Sequence, residues 1–161
     1  MIRIGVVADT HSRPIPKPLI KDFKSVDLII HAGDFCSLED VKTFEKLGQL
    51  KAVFGNMDER GVTNKFPAKD IIQVEDVFIG VIHGEGPPKT VLDSVVKAFK
   101  KDKVHAVIFG HSHVPTKEMI GKTLFFNPGS PNDLITAPYC SYGMITIDKS
   151  VIDAKIIRIK T

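Results

Sequence analysis

The spacing of hydrophobic and polar positions changes along the chain. In the first two-thirds, short apolar runs rich in Val and Ile recur, and they alternate little with polar residues. Runs of this kind are typical of strands that are buried on both faces of a sheet. They span residues 2–8, 27–32, 50–54, 77–82 and 104–109. We therefore predict a buried strand at each run.

Two helical patterns separate several of these runs. Ser37 is a suitable N-cap for a helix over residues 37–47, Asp40 stands three residues later, and Gly48 follows the last apolar position. A second helix follows Pro88, where apolar residues recur at helical spacing and indicate a face packed in the core. These residues are Val91, Leu92, Val95, Val96 and Phe99. Strands that alternate with helices predict an α/β fold.

The last part of the chain has strand patterns without intervening helices. They cover residues 117–120, 123–126, 141–147 and 151–159, with a hairpin turn predicted at 148–150. Residues 13–17, which include two prolines, are predicted to form a loop. No repeat, low-complexity tract or change of composition marks a linker, so we expect residues 1–161 to form a single domain.

Composition excludes some classes of protein. The 22 basic and 19 acidic residues are mixed, which gives a net charge of +3 without the basic stripe typical of nucleic-acid binding. Two cysteines, Cys36 and Cys140, are too few and too far apart for a disulfide framework. The sequence has no secretory leader and no long apolar run, so we expect a cytoplasmic protein without a membrane segment.

Potential metal ligands follow the apolar runs one after another. Because the carboxyl ends of parallel strands face one crevice, we expect these distant residues to converge there. Carboxylate and amide oxygens mixed with imidazoles suit two divalent metals that share a carboxylate. The seven residues are Asp9, His11, Asp34, Asn56, His83, His111 and His113.

Local spacing supports this interpretation. Asp9 and His11 are two residues apart, so an extended segment would place both side chains on one side, and His111 and His113 repeat the spacing. Burying these imidazoles and oxygens without a cation would leave polar groups unpaired, at a cost of several kcal/mol. Glycines that permit sharp turns stand beside four of the ligands, at Gly33, Gly55, Gly84 and Gly110.

Single residues also have ordinary structural explanations. Asn56 is a common type of turn residue, and a lone histidine such as His83 often has only a structural role. His31 and His105 lie inside or beside strand patterns, so we interpret both as structural residues. A supporting role near the site stays open for His31.

Taken in order, the polar blocks resemble the signature of the calcineurin-like metallophosphoesterase superfamily. They are Asp9-Thr10-His11, Gly33-Asp34, Gly55-Asn56, His83 and Gly110-His111-Ser112-His113. The short chain and the run Asn127-Pro128-Gly129-Ser130 are similar to the small prokaryotic phosphodiesterases of that superfamily. The resemblance implies a metallophosphoesterase fold, a four-layer αββα sandwich of two packed mixed sheets flanked by helices.

The resemblance also implies a dinuclear centre of two divalent metal ions. Asp34, Asn56 and His111 would position a bridging hydroxide and the phosphate for in-line attack on phosphorus. Mn, Ni, Fe, Co and Zn all suit such a ligand set, and we expect manganese to support activity in assays. The implied groups are Asp9, His11 and His113 for one metal and Asn56, His83 and His111 for the other, with Asp34 bridging them.

One position departs from the wider superfamily. Many relatives have a histidine after the Gly-Asn pair, whereas this chain has Met57, which cannot donate a proton; the small subfamily commonly lacks that histidine too. We therefore expect turnover to depend on the acidity of the leaving group. Asp58 either orients Asn56 or a water molecule, or is a turn carboxylate. Residues 127–131 either present donors to a substrate or simply connect two strands, and Cys36 either lines the site or packs as a small apolar residue.

These features predict a metal-dependent phosphodiesterase that acts on a small or accessible phosphodiester. The alternatives are a non-catalytic metal-binding scaffold, like the retromer subunit that resembles this fold, and a small nuclease or phosphomonoesterase. The retained Asp34 and Asn56 favour the enzyme, and the lack of a basic stripe argues against nucleic acid as a partner. The sequence leaves open whether the protein forms a homo-oligomer.

Overall fold

The computed structural model describes residues 1–160. These residues form ten strands and four α-helices. In chain order the elements are β1 (Ile2–Val7), α1 (Lys17–Phe23), β2 (Leu28–His31), α2 (Leu38–Glu45), β3 (Leu50–Ala52), α3 (Arg60–Lys65), β4 (Lys69–Val74), β5 (Val77–Ile82), α4 (Val91–Ala98), β6 (Ala106–Ile108), β7 (Thr116–Ile120), β8 (Thr123–Asn127), β9 (Ser141–Asp148) and β10 (Val151–Arg158). Within these residues, no helix is long and apolar enough to cross a membrane.

The strands form two mixed sheets of five strands each. The first has the order β10-β9-β1-β2-β3, in which β1, β2 and β3 are parallel and β9 and β10 are antiparallel additions. The second has the order β4-β5-β6-β8-β7, in which β5, β6 and β8 are parallel. Parallel neighbours require crossover connections, and α1, α2 and α4 lie in three of them. The parallel strands occupy the middle of the second sheet, whereas in the first sheet they extend from the middle to the edge at β3.

The two sheets and the helices form four layers. The inner faces of the sheets pack against each other through fully buried side chains such as Ile30 and Ile79. Phe44 packs in the cluster between the outer face of the first sheet and helices α1, α2 and α3, and Val95 of α4 packs on the second sheet. Each such side chain contributes roughly 1.5–3 kcal/mol by its burial. This arrangement confirms the predicted αββα sandwich.

The two predicted helices and all nine predicted strands are confirmed. Helix α2 begins after Ser37, and Ser37 and Asp40 form a capping box, as their spacing predicts. This helix ends at Glu45, earlier than the pattern predicts. The predicted hairpin turn joins β9 to β10, with Lys149 in a left-handed conformation at φ 56°.

The hydrophobic pattern did not predict three elements, α1, α3 and β4. Helices α1 and α3 have only seven and six residues, which is too short for a clear helical period. Helix α1 begins at Lys17, so the predicted loop over residues 13–17 is one residue too long. Strand β4 lies at a sheet edge, where Lys69, Asp70 and Gln73 dilute its apolar positions.

Candidate metal centre

The structure brings the seven predicted ligands together at the carboxyl ends of the parallel strands. Asp9 follows β1, Asp34 follows β2 and His83 follows β5, and all three side chains are buried. Asn56 and His111 are more exposed, so the cluster is open to solvent on one side. Because strands from both sheets contribute, residues up to about a hundred positions apart become neighbours.

Asp9, His11 and His113 form one group of donor atoms, which we call the Asp9 half. The Nε2 atoms of His11 and His113 are 3.2 Å apart. Oδ1 of Asp9 lies 3.8 Å from Nε2 of His11 and 3.6 Å from Nε2 of His113. Donor atoms of all three residues lie within 4.8 Å of one another, which suits a single metal ion.

Asn56, His83 and His111 form the second group, which we call the Asn56 half. Oδ1 of Asn56 lies 3.1 Å from Nε2 of His83 and 3.1 Å from Nδ1 of His111. The two ring nitrogens are 3.3 Å apart. These atoms also surround a space in which one ion could be held.

Asp34 lies between the two halves. Its Oδ2 atom is 3.5 Å from Nε2 of His11 in the Asp9 half and 3.2 Å from Nε2 of His83 in the Asn56 half. Its other oxygen, Oδ1, accepts the backbone N–H of Met57 at 2.8 Å. One carboxylate oxygen is therefore fixed by the backbone, and the other faces donor atoms of both halves.

Hydrogen bonds on the outer side of three imidazoles set their orientation. When the outer nitrogen donates a proton, the neutral ring presents a lone pair to the centre, as metal-binding histidines do. These bonds run from His83 Nδ1 to the carbonyl of Ala32 at 2.8 Å, from His111 Nε2 to the carbonyl of Gly86 at 3.0 Å, and from His113 Nδ1 to Oδ2 of Asp133 at 2.6 Å.

The electrostatics of the cluster fit a cation. Within residues 1–160, Oδ1 of Asp9 is the one buried side-chain oxygen or nitrogen without a hydrogen-bond partner. Burial raises the pKa of Asp9 to about 6, although His83 and His113 oppose this shift. Burial lowers the pKa of His83, but its contact with Asp34 and the charges of Asp9 and Asp34 outweigh that effect and raise it to about 9. A bound cation would satisfy Asp9 and replace the proton that His83 otherwise holds.

The backbone around the ligands is not extended, which corrects the prediction made for the two His-containing pairs. Five of the seven residues have positive φ angles, a conformation that costs side chains roughly 1–2 kcal/mol each. The values are 57° for Asp9, 47° for His11, 63° for Asp34, 72° for His111 and 61° for His113. Left-handed turns, rather than strand alternation, aim these side chains into the centre.

Asp58 supports the turns that carry Asp34 and Asn56. Its carboxylate accepts three backbone N–H groups, from Asp34 at 2.9 Å, Cys36 at 2.7 Å and Gly55 at 2.7 Å. It therefore ties the loop after β2 to the loop after β3. A Cβ atom at Gly55 would overlap Oδ1 of Asp34, so this close approach requires glycine.

The Asn127–Ser130 run is a buried strand connection. The Asn127 amide donates to the carbonyl of Gly110 at 3.1 Å, and the Ser130 hydroxyl donates to the carbonyl of Asp9 at 2.9 Å. The N–H of Gly129 is taken up by Oδ1 of Asn127. These groups hold the ligand loops in place, and their hydrogen-bonding capacity is used within the protein rather than offered to a substrate.

Of the three other polar residues considered from the sequence, His31 and Cys36 lie near the centre and His105 lies apart from it. Fully buried His31 stacks on Phe35 and is hydrogen-bonded to Thr10, between the first two ligands. Its position is consistent with a supporting role. Sγ of Cys36 lies 3.7 Å from Nδ1 of His11, so this side chain borders the Asp9 half. His105 accepts the N–H of Phe78 and takes no part in the cluster.

One buried acid near the centre, Asp133, contacts His113 and was not among the predicted site residues. It lies in the irregular segment between β8 and β9, where neither strand nor helix periodicity applies. In the sequence, only the position of this acid shortly after the Asn-Pro-Gly-Ser run could have indicated its role. In the structure, Ser130 of that run contacts the loop that carries Asp9.

Comparison with known proteins identifies the family of the chain. Residues 2–150 match the calcineurin-like phosphoesterase superfamily domain. The chain belongs to this superfamily. A probable metallophosphoesterase of Methanocaldococcus jannaschii is 37% identical over 142 residues, which cover 85% of this chain and 70% of that protein.

Two solved structures have the same fold. An archaeal phosphodiesterase is 27% identical with a TM-score of 0.78, and the match covers 97% of this chain and 100% of that one. The zinc complex of Vps29 from Entamoeba histolytica has a TM-score of 0.79 at 20% identity, covering 98% of this chain and 99% of that one. The second similarity concerns the fold alone.

Proposed function

We propose that this superfamily member is a metal-dependent phosphodiesterase with a dinuclear centre of divalent metal ions. The observation that carries the proposal is the position of Asp34 Oδ2, which faces donor atoms of the Asp9 half and of the Asn56 half. Two sets of nitrogen and oxygen donors around one shared carboxylate suit two ions close together. We propose that residues 1–161 act as one domain that contains the whole centre.

The side chains of the centre would divide the work as follows. Bound ions would supply an activated water as the nucleophile and neutralise charge on the phosphoryl oxygens. Asp34, fixed by the N–H of Met57, would hold the two halves in register. Asn56 and His111, at the exposed side of the Asn56 half, would contact the phosphate and orient it for attack. Manganese, nickel, iron, cobalt and zinc all remain candidates for the ions.

A groove beside the Asn56 half supports a small ester as the substrate. Its volume of about 350 Å³ is at the lower end of the size of small-molecule sites. Its walls are mainly apolar, which suits an aryl or other apolar ester group better than a charged polymer. The apolar lining residues next to Asn56 and His83 are Phe54, Ile82, Val95 and Ala98.

Met57 predicts how the rate depends on the leaving group. Its side chain is 57% exposed beside the Asn56 half and cannot protonate a departing oxygen. We expect kcat/KM for a series of aryl methyl phosphodiesters to fall steeply as the pKa of the phenol rises. Substituting histidine in Met57→His should flatten that dependence. Equal slopes for the two proteins, or a flat series for the unmodified protein, would contradict this expectation.

A non-catalytic scaffold is the second candidate, and the similarity of fold to Vps29 is its support. The match to a phosphoesterase domain favours hydrolysis. The unpaired oxygen of Asp9 and the strained ligand turns fit either function, since a metal-binding scaffold would use them as well. A nuclease or phosphomonoesterase ranks lower. The mixed surface charge offers no track for a polynucleotide.

A metal-resolved activity screen tests the proposal. The protein would be loaded separately with each candidate metal and assayed on bis-aryl diesters, aryl monoesters, cyclic nucleotides and short oligonucleotides, with Asp34→Asn as the control. We expect manganese-dependent turnover of aryl diesters that the variant lacks. Faster turnover of monoesters or oligonucleotides would overturn the diester assignment. No turnover with any metal would favour the scaffold.

A further inference from the structure

Asp133 lies directly behind one of the proposed metal ligands. Its Oδ2 atom is 2.6 Å from Nδ1 of His113, on the opposite side of the ring from Asp9. The Asp133 residue is only 3% exposed. The other two outer bonds, from His83 and His111, go to neutral backbone carbonyls. Among the three, His113 alone is backed by a carboxylate.

The carboxylate of Asp133 is held firmly in this position. Its Oδ1 accepts the N–H groups of Ile135 at 2.9 Å and Thr136 at 3.0 Å, and its Oδ2 accepts the N–H of Ala137 at 3.1 Å and the Thr136 hydroxyl. The carboxylate is therefore oriented toward His113 by the backbone of its own loop.

We propose that Asp133 is a positioning residue that fixes His113 with its Nδ1 protonated and raises the affinity of the Asp9 half for a divalent metal ion. The inference rests on the proposed function. A charged acceptor binds an N–H more strongly than a carbonyl does and makes the opposite ring nitrogen a better donor to a cation. The effect falls on one half only, because Asp133 contacts no ligand of the Asn56 half.

Two variants of Asp133 and one matched control test the proposal. Asp133→Asn keeps the size and one acceptor, Asp133→Ala removes the acceptor, and Asp153→Asn, a change at an exposed carboxylate on β10, is the matched control. The affinity for Co²⁺ would be measured by calorimetry and by the visible spectrum of the bound ion. The tautomer of His113 would be read from imidazole nitrogen shifts of the metal-free protein. Thermal unfolding would monitor the fold.

We expect graded losses confined to one of two equivalents of metal. Removing an outer partner of a metal-binding histidine typically costs about 10–100-fold in affinity, so Asp133→Ala should reach this range and Asp133→Asn should lose less. Asp153→Asn should keep both affinities. In the metal-free protein, His113 should carry its proton on Nδ1, and this preference should be lost in Asp133→Ala.

Contrary outcomes separate this inference from the proposed function. If a folded Asp133→Asn or Asp133→Ala variant binds both equivalents with unchanged affinity and keeps the His113 tautomer, the positioning role is wrong. If the variants are only less stable, with unchanged metal affinities, Asp133 is structural and the role is equally wrong. Failure of the unmodified protein to hydrolyse diesters would instead refute the function, since the tautomer measurement needs neither metal nor turnover.

Discussion

The two halves of the candidate metal centre differ in charge. Asp9 gives its half a buried carboxylate, although the same Oδ1 atom also lies 3.7 Å from Nε2 of His83 in the Asn56 half, and Asp133 places a second carboxylate behind His113. The Asn56 half contributes a neutral amide, and its imidazoles donate to backbone carbonyls. Both share Asp34. We therefore expect the Asp9 half to attract a divalent cation more strongly than the Asn56 half.

Coulomb energies indicate the size of this difference. Two opposite unit charges about 4 Å apart attract each other by about 4 kcal/mol at an effective dielectric constant near 20. Desolvation of the buried carboxylate offsets part of this attraction. A remaining difference of even about 1.4 kcal/mol is tenfold in affinity. We therefore expect two ions to bind in sequence, first in the Asp9 half and then in the Asn56 half.

The largest expected effect comes from removing the shared ligand. Asp34→Asn should weaken binding of the second ion and lower turnover by at least about 100-fold, since a direct ligand contributes more than the outer partner of a histidine. Calorimetry with Mn²⁺ and a diester assay measure both quantities. Asp153→Asn, a change at an exposed carboxylate on β10, is the matched control and should change neither. Unchanged stoichiometry in Asp34→Asn would contradict the shared role.

The pH dependence of metal binding should separate the two halves. With a pKa of about 9, metal-free His83 is protonated at neutral pH, so an ion in the Asn56 half must displace that proton. Its affinity should rise about tenfold per pH unit up to pH 9 and then level off. The Asp9 half should level off near pH 6, where Asp9 loses its proton. Calorimetry at several pH values measures both affinities. If the two affinities changed with pH in the same way, the assigned protonation of His83 and Asp9 would be wrong.

Adding a negative charge to the Asn56 half should reduce the difference in metal affinity between the two halves. Asn56→Asp converts the neutral oxygen that faces His83 and His111 into a carboxylate. We expect the second metal equivalent to bind at least about tenfold more tightly, since the new charge lies within direct contact of the ion. Turnover should fall, because an anionic group at this position repels the phosphate. An unaltered second affinity would show that charge does not distinguish the halves.

The smallest expected effect concerns the support of the Asp9 half. Ser130→Ala removes a buried hydroxyl that donates to the carbonyl of Asp9 and should lower the free energy of unfolding by about 1–3 kcal/mol. Urea unfolding of the metal-free protein measures it, with exposed Ser150→Ala as the control. The ligand atoms stay in place, so metal stoichiometry should not change. Loss of an ion in this variant would indicate that Ser130 does more than hold the loop.

The sequence was informative about the fold where local patterns and long-range packing agree. The central strands are continuous apolar runs because both of their faces are covered, and the ligands follow them because crevices form at strand ends. Strand β4 and helices α1 and α3 were missed, since they are short or lie at an edge and their formation depends on the layers they join.

The site shows the same limit at the level of single residues. The grouping around Asp34 could be anticipated, whereas the left-handed turns at Asp9 and His111 could not, because L-residues rarely adopt them without surrounding support. Asp133 acts through a contact between residues twenty positions apart, in a segment without periodicity. Only the folded arrangement reveals that one half has a second carboxylate behind it.

Electron paramagnetic resonance of the Mn²⁺-loaded protein tests the central claim most directly. Two manganese ions that share the Asp34 oxygen should give an exchange-coupled spectrum. That signal should appear on addition of the second equivalent, together with hydrolysis of an aryl diester, and Asp34→Asn should lack both. Two independent manganese signals, or full activity with a single bound ion, would contradict a centre shared through Asp34.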